Sequence, residues 1–478
     1  MSSPIIVWFR QDLRLKDNPA LLRACEDGAP IIPLYILEDE DADKRKIGGA
    51  ARWWLHHSLQ SLNTSLDDHL YFQSGAAADV LDKLVKQTNA KAVFWNRCYE
   101  PWRINRDKQI KQTLQDNDID VQSFNASLLW EPWTNLKKDK TPYRVFTPFY
   151  KKGCLEQNGA PPEAESAPSK IQYADMPKNN ATLDGLSLMP SIKWYGGMES
   201  EWTPGEDGAQ KRLDAFLDAG LDYYKEGRNH PAKENVSRLS PHLHWGEISP
   251  REVWHRSAQI AHSEGLENDG QTFASELGWR EFSYHLLYHF PTITWENMNQ
   301  RFNNFGWNAQ ESDDLAAWRN GQTGYPLVDA GMRELYETGY MHNRVRMIVG
   351  SFLVKNLLTH WHRGEEWFWD TLVDADEASN SASWQWIAGC GMDAAPYFRI
   401  FNPILQSEKF DKKGDYIRRF VPELKKMPDK HIHAPWNAPD NVLEYAGVTL
   451  GETYPKPIVD HSKARERALE MYQQSKSA

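Results

Sequence analysis

Short apolar runs and helix-period stretches alternate along the first 130 residues. The runs PIIVWF (4–9), PIIPLYIL (30–37), LYFQS (70–74), AVFWN (92–96) and IDVQSF (119–124) have the length and composition of buried strands. Between them, AARWWLHHSLQSLNTSL (50–66) and AADVLDKLVKQTN (77–89) carry apolar residues at helical spacing. This alternation predicts βαβ units and a doubly wound parallel sheet over residues 1–130. Ligands of such sheets sit beyond the carboxyl ends of the strands. No G-x-G-x-x-G follows the first run, so ordinary NAD binding is not indicated. Residues 131–204 form an interdomain linker, because GAPPEAESAPSK (159–170) and KNNATLDG (178–185) read as exposed chain. From residue 205 to 478 the pattern is helical throughout, an all-α domain. QKRLDAFLDAGLDYY (210–224) places Leu213, Phe216, Leu217 and Leu221 on one face. VRMIVGSFLVKNLLTHW (345–361) is apolar nearly all round, as a single fully buried helix would be, and 461–478 reads as a solvated helix and tail.

Composition adds an excess of tryptophan and an acidic balance. The 478 residues include 21 Trp, more than core filling asks for, and the net charge is −11. A nucleic-acid partner would therefore need a local basic surface. The four cysteines have no paired spacing, so neither a disulfide framework nor a zinc site is expected. No signal-peptide layout and no bilayer-length apolar run occur, which predicts a soluble cytoplasmic protein without a membrane association.

Chemistry concentrates in DADEASNSASWQWIAGCGMDAAPYFRIFNP (374–403). Asp374 and Asp376 offer acceptors for ligand hydroxyls and ring N–H groups. Trp384 and Trp386, two apart on a helix, are separated by roughly 200° and face opposite ways. VSRLSPH (236–242) brings Ser237, Arg238, Ser240 and successive backbone amides before a helical stretch, a pattern fit for a diphosphate and equally common as a plain cap. In ELGWREF, Glu276 and Trp279 share a helical face, and in MHNRVRM so do Asn343 and Met347.

These blocks, with WFRQDLRLKDNPAL (8–21), YRVFTPFYKK (143–152), SRLSPHLHWGEISPREV (237–253) and TGYPLVDAGMR (323–333), resemble in order the photolyase/cryptochrome family, and within it the class I cyclobutane pyrimidine dimer photolyases. The resemblance covers nearly the whole chain. It implies that the helical domain binds FAD through Tyr224, Val236, Ser237, Arg238, Leu239, Ser240, Phe273, Glu276, Arg280, Asn343, Arg346, Asp374, Asp376 and Asn380, with Arg346 paired to Asp374 and Asn380 facing flavin N5. Relatives often carry Thr in place of Val236 and can have Trp in place of Phe273. Glu276, Trp279, Asn343, Arg344, Met347 and Trp386 would hold a flipped-out dimer, and Trp384, Trp361 and Trp307 would relay electrons to the flavin.

The implied activity is light-driven repair, in which reduced FAD donates an electron to the dimer. The alternatives are a (6-4) photolyase, for which His342 is a candidate acid, and a cryptochrome photoreceptor, against which the absence of a long carboxyl-terminal extension counts. Glu100 marks the antenna region, with 5,10-methenyltetrahydrofolate the first expectation and 8-hydroxy-5-deazaflavin the second. The partner would be UV-damaged DNA, bound by a monomer through Lys151, Lys152, Arg228, Arg344, Arg399 and the 409–420 segment.

Overall fold

A computed structural model describes residues 3–39, 46–175, 177, 180–394 and 398–477. Five parallel strands, β1 (Ile5–Phe9), β2 (Ile31–Leu37), β3 (Tyr71–Ser74), β4 (Ala92–Asn96) and β5 (Asp120–Phe124), form one sheet in the order β3-β2-β1-β4-β5. Ile5 pairs with Ile31 on one side and Ala92 on the other. β1, β2 and β4 are buried along their whole length, as strands covered by helices on both faces must be. The order reverses between β1 and β4, which defines the switch-point crevice.

The linker is less free than its composition suggests. Ile31 donates to the Gln172 carbonyl and Ala174 returns a bond to Ile31, while Ala181 donates to Phe72. Tyr173 stacks on His69 with centroids 3.9 Å apart. Unpaired backbone groups of edge strand β3 and of the start of β2 thus find partners in the linker, which offsets the entropy of ordering it.

The remaining chain is helical. The expected single helix over 345–361 is instead a helix at Asn343–Ser351, a π-helical turn at Phe352–Asn356, and a second helix beginning at Trp361. The break is set by tertiary pairing. Leu358 adopts a left-handed φ of 53°, and Asn308 exchanges backbone bonds with Leu358 and His360. Nor is the last helix, His461–Ser477, merely solvated, for Arg467 donates to the Asn356 carbonyl and Ala464 and Ala468 are buried.

The two lobes meet closely. Leu13 donates to the Trp245 carbonyl, Trp54 to Glu247, and Arg14 to the Gly246 carbonyl. Gly246 is required here, since its φ is +67° and a Cβ would lie 2.1 Å from the Gln11 carbonyl oxygen.

Within TGYPLVDAGMR, the fully buried Asp329 accepts from the Thr323 amide at 2.7 Å, its hydroxyl at 2.6 Å, the Gly324 amide at 3.0 Å and the Tyr454 hydroxyl at 2.7 Å. Asp329→Ala strands these donors, so a destabilisation of about 3 kcal/mol or more is expected. A lowered urea midpoint measures it.

Candidate functional site

The helix Glu267–His289 carries Phe273, Glu276, Trp279, Arg280 and Tyr284. Phe273 packs with Phe216 at 4.6 Å and with Tyr224 at 5.4 Å, edge-on, forming an aromatic floor. Three residues on, Glu276 pairs with Arg228, whose guanidinium also lies 5.6 Å over the Tyr224 ring. Half-buried Trp279 stacks at 3.8 Å on Phe146, which stacks in turn on Tyr150 at 5.5 Å. Arg280 is committed to the Ser127 carbonyl at 2.7 Å and to Glu281, so the contacts it makes tie this helix to the chain that follows β5.

The 236–240 loop is built to expose amides. Arg238 has a left-handed φ of 53°, a strained value for a non-glycine residue. Among the described residues, the Val236, Ser237 and Arg238 amides find no protein acceptor. The expected helix N-terminus contributes little, because the helix that follows, Ser240–His244, is only five residues long. Loop amides and guanidinium groups therefore provide the positive potential.

His342 caps the helix Asn343–Ser351 by accepting the Arg344 amide at 3.2 Å. Burial, followed by Arg344, Arg228, Arg346 and Arg238, pushes its pKa down to about 3. Four arginines thus surround one neutral imidazole. Arg346 bridges Asp374 at 3.0 Å, the pair expected from the sequence. Asp376 is more heavily used than expected. It caps the helix Glu377–Ala388 through the Ser379 amide at 2.7 Å and takes the Tyr284 hydroxyl, with His244 at 3.4 Å. Burial opposes its charge, but His244, Tyr284 and the Ser379 amide hold the carboxyl far below its usual range. The Asn380 amide nitrogen is held by Glu365 through its backbone carbonyl at 3.1 Å and its carboxylate at 3.2 Å. This leaves the Asn380 side-chain oxygen as the group it can offer.

Trp384 is buried and Trp386 partly so, on opposite sides of their helix as expected. Arg344 lies at 3.8 Å from the Met347 sulfur and pairs with Asn229, while Asn343 is exposed at the helix start. Trp361 donates to Asn297 at 2.8 Å and Trp307 to the Val354 carbonyl at 3.1 Å. The His360 ring lies between these two, at 5.7 Å from Trp361 and 5.2 Å from Trp307. Lys151, Lys152 and Arg399 are exposed, and burial, followed by the charges of Arg228 and Arg399, lowers the pKa of Arg344. In the 409–420 segment Lys409, Lys412 and Lys413 face solvent, whereas Arg418 is spent on Asp429.

In the α/β domain, Glu100 is buried with one carboxylate oxygen unpartnered and Arg103 at 3.6 Å from the other. The switch-point crevice itself is filled. Arg10 bonds Asp107 at 2.6 Å and the Asn96 carbonyl, and Arg10 and Arg106 lie over Trp8 at 4.7 and 4.8 Å.

Two family models match, described as DNA photolyase over residues 5–169 and as the FAD binding domain of DNA photolyase over 273–474. A deoxyribodipyrimidine photo-lyase of Agrobacterium fabrum is 51% identical over 98% of both chains. The chain belongs to the DNA photolyase family. A class III photolyase structure from Agrobacterium tumefaciens superposes with a TM-score of 0.94 at 50% identity, over 100% of this chain and 98% of that one. Cryptochrome-1 of Arabidopsis thaliana is 38% identical, covering 98% of this chain and 70% of its own length.

The photolyase site fits FAD on its own evidence. Among the described residues, the buried Arg238 Nε, His342 Nε2 and Arg344 Nε atoms have no partner, as the 236–238 amides have none. Donors of this kind suit an anionic ligand. Sequence reasoning missed Glu365 and Tyr284, which lie outside the quoted blocks, and His244 and Phe146, which lie within them but were given no role, and it assigned Arg228 to DNA without seeing its bond to Glu276.

Glu281 supplies a pH test. Its carboxylate accepts the Leu129 and Trp130 amides at 3.0 and 3.2 Å, but burial outweighs Arg280 and these bonds and lifts its pKa from 4.5 to about 7. A raised folded-state pKa means the native chain binds more protons between these values, so this contribution to stability is lost as pH rises from about 4.5 to about 7. The loss is about 3 kcal/mol. Glu281→Gln is expected to flatten that part of the stability–pH curve, measured by urea unfolding from pH 4.5 to 8.

Proposed function

We propose that the chain repairs cyclobutane pyrimidine dimers in DNA under blue light, as a deoxyribodipyrimidine photo-lyase. The observation that carries the reading is the joint presentation of Glu276 and Trp279 on one helix face, with Arg228 bonded to Glu276 and the arginine ring around His342 alongside. Two indoles, Trp279 and Trp386, with Met347, suit an uncharged lesion of two linked pyrimidines, and Glu276 and Asn343 offer polar contacts to its edges. A damaged base pair costs less to extrude than an intact one. Reduced FAD, when bound, supplies the light-driven electron. Arg346, Asp374 and Asn380 hold and orient the flavin ring, Tyr224 and the 236–240 loop hold its phosphates, and Trp384, Trp361 and Trp307 carry electrons inward.

The (6-4) reading is disfavoured by His342. Its ring is neutral over the physiological range and its Nδ1 is spent as a helix cap, so it cannot deliver a proton from an imidazolium. Asn380, an uncharged amide, favours repair over the photoreceptor reading. Within the photolyases, the likeness to a class III structure at 50% identity favours class III over the class I reading of the motifs. For the antenna, Glu100 offers a bare carboxylate oxygen to the N–H edge of a pteridine, which supports 5,10-methenyltetrahydrofolate. A deazaflavin at the switch point would have to displace Arg10 from Asp107 and Asn96.

Purified protein illuminated with a dimer-containing oligonucleotide is expected to restore the absorbance of intact thymines, under blue light only. No recovery with the flavin reduced would reject the proposal.

A further inference from the structure

We infer that Asp393 is a positioning residue that fixes the spacing of the two indole walls of the cleft, and so its selectivity for two linked pyrimidines. The inference rests on the dimer-repair reading above. The observations are independent of any ligand. The Asp393 carboxylate accepts the Phe146 amide at 3.2 Å, and its backbone carbonyl accepts the Trp386 indole N–H at 3.1 Å. Phe146 lies flat on Trp279, 3.8 Å between centroids with 9° between planes. One residue therefore ties Trp386 directly, and Trp279 through Phe146.

The backbone is arranged to put it there. The Gly389, Cys390 and Gly391 amides all donate to the Gln385 carbonyl, folding the chain back over the end of its helix. Gly391 is pressed against that helix so closely that a Cβ would lie 2.9 Å from the Trp386 nitrogen. Asp393 then takes a left-handed φ of 54°, which aspartate tolerates better than most residues. Its carboxylate also does the work of a cap, because Val145, which precedes the short helix Phe146–Pro148, makes no side-chain cap bond. Among the described residues, Asp393 bonds Phe146 and Trp386, and it bonds none of the flavin-site residues named above.

Asp393→Gly removes the carboxylate and relaxes the left-handed backbone, so it is expected to fold. Asp393→Asn keeps an oxygen that can accept the Phe146 amide and tolerates the same backbone. With the flavin-loaded full chain, Asp393→Gly is expected to bind a thymine-dimer oligonucleotide about tenfold more weakly, with FAD content and flavin photoreduction as in the wild type, while Asp393→Asn restores the affinity. Hydrogen exchange in the 143–150 segment, read without DNA, is expected to quicken in Asp393→Gly and not in Asp393→Asn. Unchanged exchange in Asp393→Gly, or equal loss of affinity in both variants, overturns the inference. A wild-type protein that does not prefer dimer-containing over intact DNA overturns the function instead, and the exchange measurement still judges the tie between the walls.

Discussion

Trp384→Phe is expected to abolish photoreduction of oxidised flavin while leaving repair by chemically reduced protein close to wild type. Trp384 is a buried member of the proposed relay, edge-on to Phe368 at 5.0 Å and to Trp318 at 6.3 Å. Its place is made by a missing side chain: a Cβ on Gly364 would lie 2.1 Å from Trp384 Cη2. Phenylalanine keeps an aromatic ring there and leaves a void, at a cost of about 1–2 kcal/mol in stability. It lacks the indole's accessible radical cation, so the first step from the flavin fails. Absorbance of the reduced flavin during blue illumination with an external reductant reads the step. A wild-type rate in the variant would move the entry point elsewhere, and the relay through Trp361 and Trp307 would lose its basis.

The five strands were legible to within one residue at every end, because continuous apolar runs in βαβ alternation leave few other structures. Hydrophobicity reports burial, however, and does not report hydrogen-bond geometry. For that reason 345–361 reads as one helix, although Leu358 turns left-handed to pair with Asn308. The same limit applies to the linker, whose composition says nothing of the vacant edges at Ile31 and Phe72 that it fills. At the site, local spacing sufficed for the shared face of Glu276 and Trp279 and for the opposed Trp384 and Trp386. The pairs that define its electrostatics join distant positions, Arg228 with Glu276 and Glu365 with Asn380. Only Arg346 with Asp374 was anticipated, through the family resemblance. The convergence of four arginines on His342 follows from packing alone.

Glu276→Ala is expected to lower repair 10- to 100-fold with FAD content unchanged. In the free protein Glu276 is bonded to Arg228, so its carboxylate is already oriented and its charge balanced. A charge-assisted hydrogen bond to the lesion contributes about 1.5–3 kcal/mol, and each 1.4 kcal/mol is tenfold. Alanine also releases Arg228, whose guanidinium then keeps its place over the Tyr224 ring but loses its carboxylate partner. Glu276→Gln retains the hydrogen-bonding shape, loses the charge, and should fall between alanine and wild type. Flavin retention should separate the roles, because the Phe273–Tyr224 floor, the 236–240 loop and the Arg346–Asp374 pair remain intact in both variants. Repair under saturating blue light, set beside the flavin-to-protein absorbance ratio, makes the comparison. Parallel loss of repair and flavin would place Glu276 in the cofactor site and remove it from contact with the dimer.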